Sequence, residues 1–386
     1  MNKRIWVVLV AALALLSVGC PSKPASEQQA QSVTVGIMTP LTGEVASWGD
    51  MQRKATELAL ADLKAKGALE KLDVRVIYED DKASPKDGVN AFRKLADVDR
   101  VPIVVGSPAS TVTLAVAPIA NEKKVVLLSS GSTATDVGKA GPYVFRIMPS
   151  DEVQASIMAD WALELGYKKI AVIFVENAWG RGLVEQFKAD YTKKGGSIVA
   201  DESSKPDTTD YRAQLTKTKE ASPDAIYAPL YTRGAGLMIR QARELGLRCQ
   251  VLGADVYETP ELVEAGGKAV DGVLYTTYGQ YSGQEFQFFA NRYKAKYGRD
   301  PEIYARYCYD AFCIAIAAVT SIPQAKPIDG PNVREALLTL KDFHGVSGVT
   351  TFDGRNSATG RTFDKMMVTN GHHVPFDPKA RKDILP

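Results

Sequence analysis

Short, almost purely apolar runs alternate along this chain with longer stretches whose apolar residues return every three or four positions. Segments 33–38, 73–78, 102–105, 125–128 and 143–147 read as buried strands. Between them, 50–66 and 84–95 read as helices, the first carrying Ala55, Leu58, Ala59, Ala61 and Leu63 on one face. A second series starts near Asp151, with helices predicted at 152–165, 182–194, 210–221, 236–245 and 260–265. Its strands are predicted at 169–175, 197–200, 225–230, 250–252 and 272–276. Continuous apolar strands between amphipathic helices predict parallel sheets covered on both faces, and 386 residues suffice for two such domains. The tail differs: helices at 284–297, 304–321 and 332–340 precede strands at 349–352 and 365–368. That order predicts a chain that crosses between the domains more than once.

Two strand ends carry candidate chemistry. After Val105 comes Gly106-Ser107-Pro108-Ala109-Ser110-Thr111-Val112-Thr113, and after Leu128 comes Ser129-Ser130-Gly131-Ser132-Thr133-Ala134-Thr135-Asp136. Gly106 permits a sharp turn, and Ser110 or Thr111 is placed to cap the helix that follows. Free N–H groups there form a polar socket the size of a small anion. A single turn of this kind is an ordinary helix cap. Two of them at the carboxyl ends of neighbouring strands mark the edge where open α/β sheets bind ligands.

The one long apolar run lies at the start. Lys3 and Arg4, then 5–16, then Ser17-Val18-Gly19-Cys20, form the pattern of a secretory signal. Cys20 directly after Gly19 resembles a bacterial lipobox cysteine, acylated to become the new N-terminus, although the usual Leu falls one place early at Leu16; the alternative is a plain secretory signal. Residues 20–32 are polar and aperiodic and read as a flexible tether. Loss of Lys3 and Arg4 with the leader takes the formal charge from +2 to zero, and nothing in the balance suggests a nucleic-acid partner. Hydrophobic residues at 45% and charged residues at 24% are values of a soluble globular protein. Cys249, Cys308 and Cys313 read as small buried apolar residues, and Cys308 and Cys313 lie on different faces of one helix, so they are not expected to pair. His372-His373 has no placed third ligand, so a solvated loop is expected there and no metal or other cofactor.

The order of Pro40-Leu41-Thr42-Gly43, Trp48-Gly49, Tyr78-Glu79-Asp80-Asp81, the two hydroxyl-rich turns, Asn177-Ala178-Trp179-Gly180 and Gly253-Ala254-Asp255 resembles one known family. Tyr309-Asp310-Ala311, Gly345-Val346-Ser347-Gly348 and Thr351-Phe352-Asp353 continue the likeness to the end of the chain. The family is that of extracytoplasmic substrate-binding proteins of the branched-chain amino acid type. It implies an α/β fold of two Rossmann-like lobes, each a parallel sheet flanked by helices, joined by three crossovers around a ligand cleft. The N-terminal lobe would hold 33–148 and 279–342, the C-terminal lobe 149–278 and 343–386, after a signal peptide at 1–19. By resemblance, Ser110 holds a ligand α-carboxylate, Thr133 contacts carboxylate and ammonium, and a carbonyl of the Gly131–Ser132 turn accepts from the ammonium. Asp255 pairs with the ammonium, and Trp48, Trp179 and Tyr231 line the cleft. Some relatives carry a disulfide at the positions of Ala83 and Ala109, so that brace is absent here. For Trp48, Trp179 and Tyr231 the alternative is ordinary packing, and for Asp255 a helix-capping loop acid.

A zwitterion needs donors for its carboxylate and an anion for its ammonium, and the implied residues divide that work between the lobes. The implied function is capture of a small amino acid, branched-chain or otherwise apolar, for an ABC importer. Its partners would be membrane permease and ATPase subunits, and it would sit lipid-anchored in the periplasm or at the surface of a bacterial cell. The alternative is a ligand-sensing module of the same fold for an amide, urea or aromatic carboxylate. An enzyme is not expected. Gly234-Ala235-Gly236 resembles a dinucleotide fingerprint, but Ile239 stands where the third small residue belongs. No Walker loop or nucleophile elbow occurs.

Overall fold

A computed structural model describes residues 31–279, 283–354 and 356–378. The signal-like segment, Cys20 and the tether up to residue 30 lie outside the described residues. The first lobe is built on β1 (Gln31–Thr39), β2 (Leu72–Asp80), β3 (Ile103–Gly106), β4 (Val126–Ser129) and β5 (Val144–Arg146), all parallel, in the order β2-β1-β3-β4-β5. Helices α1 (Ala46–Ala65), α2 (Pro85–Arg93) and α3 (Ser110–Lys123) connect the first strands.

The second lobe repeats the plan. Strands β6 (Lys169–Val175), β7 (Ser197–Ser204), β8 (Ala225–Tyr227), β9 (Gln250–Gly253) and β10 (Leu274–Tyr278) run parallel in the order β7-β6-β8-β9-β10. They alternate with α4 (Asp151–Glu164), α5 (Ala178–Lys193), α6 (Arg212–Glu220), α7 (Thr232–Glu244) and α8 (Pro260–Gly266). In each lobe the strand order reverses once, beside β1 and beside β6, and opens a crevice at the carboxyl ends of the strands. Both sheets have cores of fully buried Val, Ile and Leu, as their uninterrupted apolar strands predict.

After β10 the chain returns to the first lobe through α9 (Gln284–Tyr297), α10 (Ile303–Ser321) and α11 (Gly330–Thr339). Although α10 is apolar and long, it is a core helix, buried along nearly its whole length in the first lobe. The expected return to the second lobe at 343 falls later. A hairpin of β11 (Phe343–Gly345) and β12 (Gly348–Thr350) stays on the first lobe, because the buried Asp310 of α10 holds it there. Its carboxylate accepts from the N–H of Val346 at 2.9 Å and of Ser347 at 2.8 Å, and from the Ser347 hydroxyl. Only β13 (Phe363–Thr369) and β14 (His372–Pro375) join the second sheet, antiparallel at its β10 edge. The expected loop at His372-His373 is therefore a strand, with the His373 ring nitrogen Nδ1 2.9 Å from the Tyr275 hydroxyl.

Candidate functional site

The two crevices face each other and enclose a cleft lined by Trp48, Met51, Pro108, Ala109, Ser110, Ser130, Gly131, Thr133, Trp179, Tyr231, Asp255, Val256, Tyr304 and Cys308. About 550 Å³ between them is unfilled by atoms, the mouth included, which suits a small molecule. Every site residue singled out in the described sequence lines this cleft except Ser132. The Ser132 hydroxyl turns into the first lobe, donating to the Ser107 carbonyl at 3.0 Å and meeting Thr113 Oγ1 at 2.8 Å. Ser132 braces the turn and leaves the cleft to its neighbours.

Two glycines let the hydroxyl-rich turns meet. At Gly106 φ is +119°, and a Cβ would lie 1.9 Å from the Met38 carbonyl oxygen. A Cβ on Gly131 would lie 2.8 Å from Pro108 Cα, so the second turn approaches the first backbone to backbone. Ser110 is the first residue of α3, after Ala109, and not the side-chain cap that its type suggests. Its Oγ instead accepts the Thr133 N–H at 3.1 Å and the Ala134 N–H at 3.2 Å. With both lone pairs engaged, the hydroxyl proton is left to donate into the cleft. Behind the turn the buried Arg146 donates from Nη1 to the carbonyls of Thr133 at 2.8 Å and Ala134 at 2.9 Å, and from Nε to Ser357 Oγ at 2.8 Å.

The opposite wall comes from the second lobe. Asn177 caps α5 through Oδ1, which accepts the Gly180 N–H at 2.9 Å, and its Nδ2 donates to the Tyr231 hydroxyl at 2.8 Å. The Trp179 and Tyr231 rings stack with centres 5.7 Å apart. Trp48 of α1 reaches across from the first lobe to meet the Tyr231 ring edge to face. A second bridge joins the lobes where the Ala178 N–H donates to Thr111 Oγ1 at 3.3 Å.

Asp255 follows β9 and is buried, with 2% of its surface exposed. Its Oδ2 accepts from the hydroxyls of Tyr278, at 2.9 Å, and of Tyr304 on α10. Its Oδ1 has no hydrogen-bond partner. Burial raises the carboxyl pKa, and the Tyr304 and Tyr278 hydroxyls, with the Gln154 side chain, only partly offset that rise. An unpartnered buried carboxylate oxygen beside a cleft is a receptor for a cation or a strong donor. Of the other wall residues, Tyr304 and Cys308 occupy successive turns of α10, where their spacing resembles any buried helix face. That is why the apolar pattern alone does not single them out. The sequence landmarks Asp80 and Asp310 are structural. Asp80 Oδ1 accepts from the Leu41 N–H at 2.8 Å and the Lys82 N–H at 3.0 Å, and fixes the loop that leads to Trp48.

The sequence model of the family described as periplasmic binding protein matches residues 32–372. The Leu/Ile/Val-binding protein homolog 3 of Brucella melitensis is 33% identical over 63% of this chain and 67% of its own length. The Leu/Ile/Val-binding protein BraC3 of Rhizobium johnstonii is 28% identical over 86% of this chain and 90% of its own. Among solved structures, the leucine binding protein LivK of Thermotoga maritima superposes with a TM-score of 0.83 at 29% identity, covering 90% of this chain and 99% of that one. The branched-chain amino acid substrate-binding protein LivJ of Streptococcus pneumoniae, in complex with isoleucine, gives 0.81 at 25% identity, over 90% of this chain and all of that one. With two sheets wound in the same order, three crossings between them and a match across almost the whole described chain, this protein belongs to the periplasmic binding protein family.

Proposed function

We propose that this protein is the extracytoplasmic solute-binding component of an ABC importer, and that its cleft captures a small amino acid with an apolar side chain. The observation that carries the reading is the placement of complementary groups across the cleft: the Ser110 hydroxyl on the first lobe, and the unpartnered Asp255 Oδ1 on the second. A zwitterion meets both, its carboxylate at the Ser110 hydroxyl and its ammonium at Asp255, with the Gly131 carbonyl as a further acceptor. The apolar wall of Trp48, Met51, Val256 and Cys308 is left for the side chain. A simple carboxylate would leave Asp255 Oδ1 buried and unpaired, which costs about 1–3 kcal/mol. That cost argues for an amino acid over an aromatic acid. The relatives that carry Leu/Ile/Val-binding names support the same choice. Ligand that touches both lobes favours their closed arrangement, and closure is the form offered to permease and ATPase subunits. Among the described residues no acid, base and nucleophile set converges on the cleft, and binding and release, not turnover, is the proposed activity.

Acylation of Cys20 would hold the protein at the outer face of a bacterial membrane, a placement supported by the charged start, apolar core and Ser17-Val18-Gly19 that precede it. Labelling of cells with a fatty-acid analogue should tag the wild type and not Cys20→Ala. The ligand reading is tested by melting the soluble form, from residue 21 onward, after unfolding and refolding to strip carried-over ligand. A cognate amino acid at a hundred times its Kd should add about 2.7 kcal/mol of stability. A response to leucine, isoleucine, valine or phenylalanine supports the reading; silence to all amino acids with a response to amides or aromatic acids discards it.

A further inference from the structure

Behind the cleft wall stands a second buried carboxylate. Asp151 opens α4, its side chain is fully buried, and neither of its carboxylate oxygens makes a hydrogen bond of ordinary length and angle, although the Thr133 hydroxyl lies near enough to favour its ionised form. Its backbone N–H donates to the Thr133 carbonyl at 3.0 Å, which places it directly behind the turn that lines the first-lobe side of the cleft. Asp255 lies close enough to repel it, so two buried acids, three of whose oxygens make no hydrogen bond of ordinary geometry, stand together behind the cleft wall. The polar surroundings are under-satisfied as well: Gln154 Oε1, one turn along α4, and the Tyr227 hydroxyl on β8 are also without partners.

Among the described residues, Arg146 on β5 is the cation that faces Asp151. The phenols of Tyr227, Tyr278 and Tyr304 face both acids and are held neutral, since burial raises their pKa well above the usual range and the acids raise it further. Glu258, in the turn after Asp255, faces Tyr304 and adds negative charge on that side. Glu258 faces Tyr304 and not the pair itself, so two ionised carboxylates against one guanidinium leave the pair one negative charge in excess. Burial opposes that excess in both acids. A single positive charge balances the cluster, and two candidates fit: a proton, or the ammonium of a ligand.

We propose that Asp151 is a second carboxylate of the amine site, and that the Asp151–Asp255 pair holds one proton in the free protein which the ligand's ammonium displaces to solvent. The inference rests on the amino-acid reading above. On binding, a carboxyl O–H is lost, the proton passes to buffer, and the ammonium takes over its charge. Asp151 touches the ligand only through the field it sets behind Thr133, so it is a positioning residue. The site therefore selects for an amine by charge balance as well as by contact, and an acid without an amine leaves the proton in place.

The test is isothermal titration of the soluble protein with L-leucine, L-isoleucine, L-valine and L-phenylalanine, from about pH 4.5 to about pH 8.5, in paired buffers of different ionisation heat. Affinity should rise by up to tenfold per pH unit at the acid end and level off above it, with up to about one proton released per ligand. Isocaproate, the amine-free counterpart of leucine, should release none above about pH 6, where its own carboxyl is already ionised. Asp151→Asn should bind with a flat pH profile and no proton release; should that variant fail to fold, the proton count of the wild type decides alone. An amino acid bound with constant affinity and no proton exchange overturns the proposal and leaves the amino-acid reading standing. An Asp151→Asn protein that keeps the wild-type slope overturns it equally. Absence of binding by all four amino acids removes the reading, and the proposal falls with it.

Discussion

Trp48 of the first lobe meets Tyr231 of the second edge to face, with ring centres 5.3 Å apart and planes at 83°. The contact spans the cleft, so it exists only while the lobes are together. Such a pair contributes about 0.5–1.5 kcal/mol beyond its buried area. Trp48→Ala should therefore weaken ligand binding by roughly 3- to 10-fold or more, chiefly through faster release, as stopped-flow fluorescence would show. An unchanged release rate would mean that the ring only covers the cleft mouth.

Asp255 gives Oδ2 to the Tyr278 and Tyr304 hydroxyls, while its buried Oδ1 makes no hydrogen bond of ordinary geometry. Asp255→Ala should weaken amino acids by about 1.5–3 kcal/mol, roughly 10- to 150-fold in Kd, while amine-free acids lose far less. Calorimetry with leucine and isocaproate on the same variant separates the two. Equal losses for both ligands would remove Asp255 from the ammonium.

Ser110 serves the fold as well as the proposed site. Ser110→Ala strips the acceptor from the Thr133 and Ala134 N–H groups, and each unsatisfied buried donor costs about 1–3 kcal/mol. The variant should melt at lower temperature without ligand and also bind more weakly. Ser110→Cys, with a poorer acceptor, should fall between. A variant that loses affinity with its melting temperature intact would show that the turn holds its shape without this hydroxyl.

Asp81, buried at the end of β2, has its pKa pushed up to about 6 by burial; the Ser107 hydroxyl and the Ala83 N–H, which donates to Oδ1 at 2.8 Å, pull it down, and Asp80 and Asp87 raise it further. Folding thus favours the protonated acid. The stabilisation is complete below the unfolded value of 3.8 and is lost as pH rises through about 6. The shift amounts to about 3 kcal/mol. Asp81→Asn, which cannot ionise, should gain on the wild type by up to that amount between about pH 4 and about pH 7, read by urea unfolding. A difference that stays constant with pH would place Asp81 in a wetter setting than its burial implies.

Most of the architecture is legible in the chain because parallel strands buried on both faces leave uninterrupted apolar runs, and 126–129, 169–175 and 284–297 fall almost where the pattern puts them. The short strands β11 and β14 carry too few residues for a period to show, and β11 owes its place to a carboxylate thirty-odd residues earlier, on α10. The cleft residues announced by turn chemistry, such as Ser110, Gly131 and Thr133, are found on the wall. Ser132, of the same type and in the same turn, faces inward, because consecutive residues of a tight turn point in different directions. Asp151 is hidden for another reason. Placed after Ser150 at a helix start, it looks like a residue that complements the helix dipole, and only its burial beside Asp255 sets it apart.

Tyr278, at the end of the second lobe's β10, and Tyr304, on the first lobe's α10, grip the same oxygen of Asp255. One tether travels with the acid and the other belongs to the opposite body. A movement that parts the lobes removes one hydroxyl and keeps the other, so the carboxylate is fully aimed only in the shut molecule. On the proposed function, recognition of the amine and the outward shape of the protein would then be a single event, and a membrane partner that inspects only the shape would already know whether cargo is aboard.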